Sequence, residues 1–185
     1  MTPHGHGDAP SSWVARWAGL IAPGGTALDV AAGHGRHAQL LAARGLRVEA
    51  IDRDPQALAA LAAIAGVTPV AADIESGPWP RAGRTYDGVV VTNYLWRERL
   101  PDIAAALGDG GILIYETFAV GNETLGKPSN PMFLLRRGEL LDWARAAGML
   151  VLGFESGRVQ SPRPAIVERI CAWRAGGSTI PPAID

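Results

Sequence analysis

Three aspartates and two glycines fall at spacings suited to holding a nucleoside. Asp29 opens the run Asp29-Val30-Ala31-Ala32-Gly33-His34-Gly35-Arg36-His37-Ala38, whose glycines permit a tight turn and a close backbone approach just ahead of a helix amino terminus. Asp52, followed by Arg53, lies 19 residues beyond Gly33, where a carboxylate can accept from both hydroxyls of a ribose. Asp73 with Ile74 has the form of an adenine reader: the carboxylate accepts from the exocyclic amine and the next backbone N–H serves a ring nitrogen. The glycines alone leave two cofactors open, because Gly33-x-Gly35-x-x-Ala38 also satisfies the dinucleotide pattern of nicotinamide enzymes. Asp29, Asp73 and the absence of a Tyr-x-x-x-Lys pair or a second domain favour S-adenosylmethionine. A nicotinamide-dependent oxidoreductase and a non-catalytic cofactor-binding module stand as the alternatives.

The elements that must position these residues alternate in type. Residues 26–30, 46–51, 67–72, 86–92 and 111–118 carry the short apolar runs of strands. Between them, helical spacing marks 36–44, 101–107 and a helix opening at Asp54-Pro55, an N-cap followed by Pro at the first helical position. A further helix spans 138–147, with Leu140, Leu141, Ala144 and Ala147 as its buried stripe. Pro69 removes a ladder donor and so places 67–72 at a sheet edge. Strands 149–154 and 164–173 follow with no helix between them, which predicts an antiparallel hairpin. The fold expected is therefore α/β, a Rossmann-like doubly wound sheet, mostly parallel with a C-terminal antiparallel strand. Ligands of such sheets bind beyond the carboxyl ends of the strands, where the aspartates and glycines lie.

The whole chain of 185 residues suits one domain. Residues 1–11, rich in Gly and Pro, read as a flexible arm before a domain spanning 12–185, whose first helix begins at Ser11 or Ser12 with Trp13, Trp17 and Leu20 on one face. His4 and His6 in that arm offer only two ligands between glycines, so no metal site is expected. Seventeen Lys and Arg against eighteen Asp and Glu leave no broad attraction to nucleic acid or anionic lipid. Residues 1–10 hold no apolar leader segment and no stretch matches a membrane span, which predicts a cytoplasmic protein; Cys171 reads as a buried thiol.

The segments resemble the class I S-adenosylmethionine-dependent methyltransferases, whose first motif of an acidic residue and alternating glycines takes the form Asp29-x-Ala31-x-Gly33-x-Gly35. Ala31 stands in place of the first glycine. The resemblance implies that Gly33 and Gly35 flank the methionine and ribose, Asp52 holds the ribose, Asp73 with Ile74 holds adenine, and Asn93 lines the methionine side. More narrowly, Leu28 to His37, Asn93-Tyr94-Leu95, Tyr115-Glu116-Thr117-Phe118 and Gly126-Lys127-Pro128-Ser129-Asn130-Pro131 resemble small bacterial methyltransferases of tellurite-resistance-like type. That group implies a small-molecule acceptor such as a thiol or a chalcogen oxyanion. Tyr115 and Glu116, alternating at the end of a strand, and Lys127, in a long loop at 119–131 suited to a lid, are the catalytic candidates. His34 and His37 flank the helix start but are left outside that set.

Overall fold

A computed structural model describes residues 9–177 and 180–184. Its seven strands are β1 (Thr26–Val30), β2 (Arg47–Asp52), β3 (Val67–Ala71), β4 (Tyr86–Thr92), β5 (Leu107–Phe118), β6 (Leu150–Val159) and β7 (Ala165–Trp173). They form one sheet in the order β3-β2-β1-β4-β5-β7-β6. Pairings from β3 through β5 are parallel, and β7 runs antiparallel between β5 and β6. The doubly wound, mostly parallel sheet with an antiparallel end is thus the one expected, and β3 with its Pro69 is an edge. His4 and His6, where no metal site was expected, and most of the predicted arm lie outside the described residues. No described helix is long and apolar enough to cross a membrane.

Five α-helices cover the sheet: α1 (Ser12–Trp17), α2 (Arg36–Ala43), α3 (Pro55–Ala62), α4 (Leu100–Ala105) and α5 (Glu139–Ala146). Ser11 caps α1 by accepting from the Trp13 amide, and Asp54 caps α3 by accepting from the Gln56 amide ahead of Pro55. Alternation along the strands builds two apolar layers. Leu28, Val30, Val89, Val91, Leu113 and Tyr115 face α4 and α5, while Ala27, Val90, Ile112, Ile114 and Cys171 face α1 and α2. The α1 segment lies close on that second face: a Cβ at Gly153 would meet Trp17 at 2.5 Å, and one at Gly88 would meet Ile21 at 2.5 Å.

Two strand boundaries differ from the sequence reading by four residues or more. The fourth helix stops at Ala105 and β5 begins at Leu107, four residues before the predicted start, because Leu107 already pairs with Tyr86 before a register shift through Gly108 to Gly111. Strand β6 extends beyond Phe154 to Val159, since polar Glu155 to Arg158 continue the ladder with β7.

Candidate functional site

The glycine loop joins β1 to α2 with three consecutive odd-numbered residues in the left-handed region: Ala31 (φ 55°), Gly33 (φ 55°) and Gly35 (φ 83°). Ala31 holds this conformation despite its Cβ, a strained position of the kind found at ligand loops. At Gly33 nothing stands within 4 Å of where a Cβ would be, so the loop leaves open space there. Gly35 has a different reason for being glycine: a Cβ would lie 2.3 Å from Leu61 Cδ2, so its bareness lets α2 and α3 pack together.

Asp52, the last residue of β2, ties two turns. Its Oδ2 accepts from the Gly33 amide at 2.7 Å and its Oδ1 from the Asp54 amide at 2.9 Å. Two lone-pair positions remain for a further donor pair. Asp73 is exposed and caps its own turn, with Oδ1 accepting from the Glu75 amide at 3.0 Å and the Ser76 amide at 3.4 Å. Those amides, first that of Glu75, hold its pKa below the usual carboxylate value. Arg53 lies between Asp73 (3.9 Å) and Glu75 (3.4 Å). The following turn is held from below by Arg99, which donates to the carbonyls of Ile74 and Gly77. Ile74 is buried.

Asp29 is completely buried, and neither carboxyl oxygen makes a hydrogen bond of good geometry among the described residues. Burial raises its pKa to about 7, against the opposing pull of the Ala38 amide and the Arg36 charge. Asn93 follows β4 with φ 54°, a conformation asparagine tolerates, and donates its amide to the Glu116 carbonyl at 2.9 Å.

The three catalytic candidates fall in different surroundings. Tyr115 is wholly buried on the α4 and α5 face, edge-on to Trp143 and donating its hydroxyl to the Tyr94 carbonyl at 2.9 Å; burial raises its pKa further above the phenol value. Glu116, on the opposite face, accepts from the Ser11 hydroxyl at 2.8 Å and from Arg169 at 3.2 Å. Lys127 is exposed. Its loop is pinned at both ends: Ala119 and Leu135 form a bridge, and buried Asn122 donates to the Pro128 carbonyl (3.0 Å) while accepting from the Ile166 amide (3.1 Å). Arg97, which lies beyond the end of β4, donates to the Met132 and Leu134 carbonyls and to both oxygens of Glu139. Burial works against ionisation of Glu139, but the hydrogen bonds from Arg97 and Arg136 bring it down to about 2.

Sequence reasoning underrated His37. Its ring is buried at the start of α2, accepting from the Ser11 amide at Nε2 (3.1 Å), with Nδ1 3.2 Å from Thr92 Oγ1. Thr92, Glu116, Arg169 and Glu155 are cross-strand neighbours in one row over β4, β5, β7 and β6. Partners separated by 105 positions, as Ser11 and Glu116 are, leave no local signal. His34, by contrast, is exposed.

Residues 27–111 match a family described as a methyltransferase domain. No curated protein sequence is significantly similar to the chain. Among solved structures, TehB from Haemophilus influenzae superposes with a TM-score of 0.72 at 19% identity over 87% of this chain; the chain spans only 61% of TehB's length. A TehB-like S-adenosylmethionine-dependent methyltransferase from Corynebacterium glutamicum gives 0.63 at 20% identity, covering 89% of this chain and 88% of that one. The Burkholderia thailandensis 1,6-didemethyltoxoflavin-N1-methyltransferase, solved with 1,6-didemethyltoxoflavin and S-adenosylhomocysteine, gives 0.64 at 20% identity, covering 89% and 76%. The strand order with β7 reversed and the superpositions give the chain the fold of these S-adenosylmethionine-dependent methyltransferases, TehB-like in its layout, and residues 27–111 carry the match to the methyltransferase domain.

Proposed function

We propose that the chain is an S-adenosylmethionine-dependent methyltransferase acting on a small acceptor that arrives already nucleophilic, such as a thiolate or a chalcogen oxyanion. The observation that carries this reading is the commitment of Tyr115, Glu116 and His37, the groups at the ends of β4 and β5 considered as bases. The Tyr115 hydroxyl is given to Tyr94, Glu116 to Ser11 and Arg169, and the His37 ring to Ser11 and Thr92. An amine or hydroxyl acceptor needs a group to take its proton; a thiolate or oxyanion does not. The small-molecule acceptor of the toxoflavin enzyme supports the size class.

The residues fit the cofactor. S-adenosylmethionine supplies an electrophilic methyl carbon on a sulfonium, displaced in line by the acceptor. Asp29, whose buried carboxyl oxygens make no hydrogen bond of good geometry, offers an acceptor beneath the glycine loop for an ammonium, and the open space at Gly33 admits a ligand against the backbone. Asp52 keeps lone pairs for the ribose, with Arg53 beside it; Asp73 and Ile74 border the adenine end, and Ala31, Gly35 and Asn93 shape the methionine end. Lys127 then attracts an anionic acceptor to the mouth. The chain's contribution to rate is alignment and exclusion of water.

Calorimetric titration with S-adenosylhomocysteine and with NADH tests the cofactor assignment, with binding expected only to the former. Release of S-adenosylhomocysteine is then measured over a panel of thiols, chalcogen oxyanions, amines, alcohols and nucleic acid. Turnover confined to amines, alcohols or nucleic acid overturns the proposal.

A further inference from the structure

The contacts of Ser11 do more than cap α1. Its backbone N–H points to His37 Nε2 (3.1 Å), its hydroxyl to Glu116 (2.8 Å), and two residues earlier the Ala9 carbonyl accepts from Arg36 at 3.4 Å. A backbone N–H can only donate, so Nε2 must present its lone pair and the ring proton belongs on Nδ1, where it is donated to Thr92 Oγ1. The latched ring is therefore neutral and in a single tautomer. His37 is the second residue of α2, two positions after Gly35, and Thr92 immediately precedes Asn93. Residues 9–11 consequently lie across the first turn of α2 and the ends of β4 and β5.

We infer that residues 9–11 form a strap closing the methionine end of the cofactor site, and that neutral His37 is the positioning residue that latches it. This rests on the S-adenosylmethionine reading above. Cofactor exchange then requires the strap to lift, and acid promotes lifting, because a protonated Nε2 cannot accept from Ser11. The charged groups around the ring are Arg36 on the same helix, Asp29 on β1 under that turn, Glu116 on β5 and Arg169 behind it on β7. Burial and Arg36 push His37 down from 6.5 to about 3 while the strap is in place. Sign follows directly: the lifted state takes up a proton below 6.5 that the latched state refuses until about 3, so latching is complete above 6.5 and weakens as pH falls. Between pH 7.5 and 5.5 the latch loses roughly tenfold in its closing equilibrium, if lifted His37 titrates normally.

Dissociation of S-adenosylhomocysteine from the full chain, followed by stopped-flow tryptophan fluorescence, tests this at pH 7.5 and 5.5. Ser11 has φ −55°, which proline adopts, so Ser11→Pro deletes the donor N–H without strain at that angle, while Ser11→Ala deletes only the hydroxyl. The latch predicts faster release from Ser11→Pro than from Ser11→Ala at pH 7.5, and up to about tenfold acceleration of the wild type at pH 5.5. Ser11→Pro should lack that acceleration. His37→Gln, whose amide oxygen can accept without titrating, should release slowly at both pH values. Equal rates for Ser11→Pro and Ser11→Ala, or a pH response shared by wild type, Ser11→Pro and His37→Gln, overturns the latch and assigns any pH response to Asp29. A wild type that binds no S-adenosylhomocysteine overturns the cofactor reading instead.

Discussion

Replacing Asp52 separates its two tasks, joining turns and holding a ribose. The Gly33 and Asp54 amides each point at one of its oxygens, at 2.7 and 2.9 Å. In Asp52→Ala both amides lose a charged acceptor, but the site is half-exposed and water replaces much of what is lost. The stability cost is therefore about 1 kcal/mol, which for a chain of this size lowers Tm by roughly 2–4 °C. Cofactor binding should suffer more. Loss of a charge-assisted acceptor for ribose hydroxyls costs about 1.5–3 kcal/mol, or roughly 10- to 150-fold in Kd. Asp52→Asn should fall between, since its carboxamide oxygen can serve one amide while its NH2 opposes the other. Calorimetric titration with S-adenosylhomocysteine and thermal unfolding of the same samples measure the two effects. A folded Asp52→Ala protein with wild-type affinity would refute the ribose role, and a lowered Tm with that result would leave Asp52 purely a tie between turns.

Gly35→Ala should lower stability by about 2–4 kcal/mol in thermal unfolding, because its Cβ would overlap Leu61 at 2.3 Å and φ is 83°; a change under 1 kcal/mol would mean that α2 and α3 yield more readily than their packing implies. Asp29 ionises with difficulty, its pKa rising from 3.8 to about 7, so ligand-free stability should decline as pH rises from 4 to 7, and Asp29→Asn should flatten that profile in denaturant titrations. Lys127→Ala should reduce turnover, chiefly through KM for an anionic acceptor, while leaving S-adenosylhomocysteine affinity nearly unchanged; unaltered kinetics would remove Lys127 from the acceptor site.

How far the sequence alone discloses this molecule depends on the range of the interaction concerned. The α3 start was legible because Asp54 and Pro55 act within two residues, and β3 was legible as an edge because Pro69 forbids one ladder bond wherever it stands. The β5 start was not, since the sequence carries helical spacing through Leu107 and a strand pattern from Gly111, and only the partner Tyr86 shows that the ladder has already begun. At the site, the glycine loop and Asp52 announce themselves by spacing. Gly35 reads in the sequence as a glycine for close approach to the cofactor, and the structure adds a reason no spacing shows, the nearness of Leu61. His37 escaped because its meaning comes from Ser11 and Thr92, 26 and 55 positions away.

The bridge between Ala119 and Leu135 has a consequence for how such a chain can diversify. The Val120 amide reaches the Leu135 carbonyl, and the Leu135 amide reaches that of Phe118, both at 2.9 Å. The two ends of the segment are thereby fixed at one point on the sheet, as in an omega loop, whatever lies between them. Lengthening a loop whose ends already meet adds little closure entropy, about 0.6 kcal/mol for each doubling. Residues 123–130 are therefore an exchangeable cassette: a library of altered lengths and compositions there should retain the sheet and the glycine loop while presenting new surfaces to new acceptors.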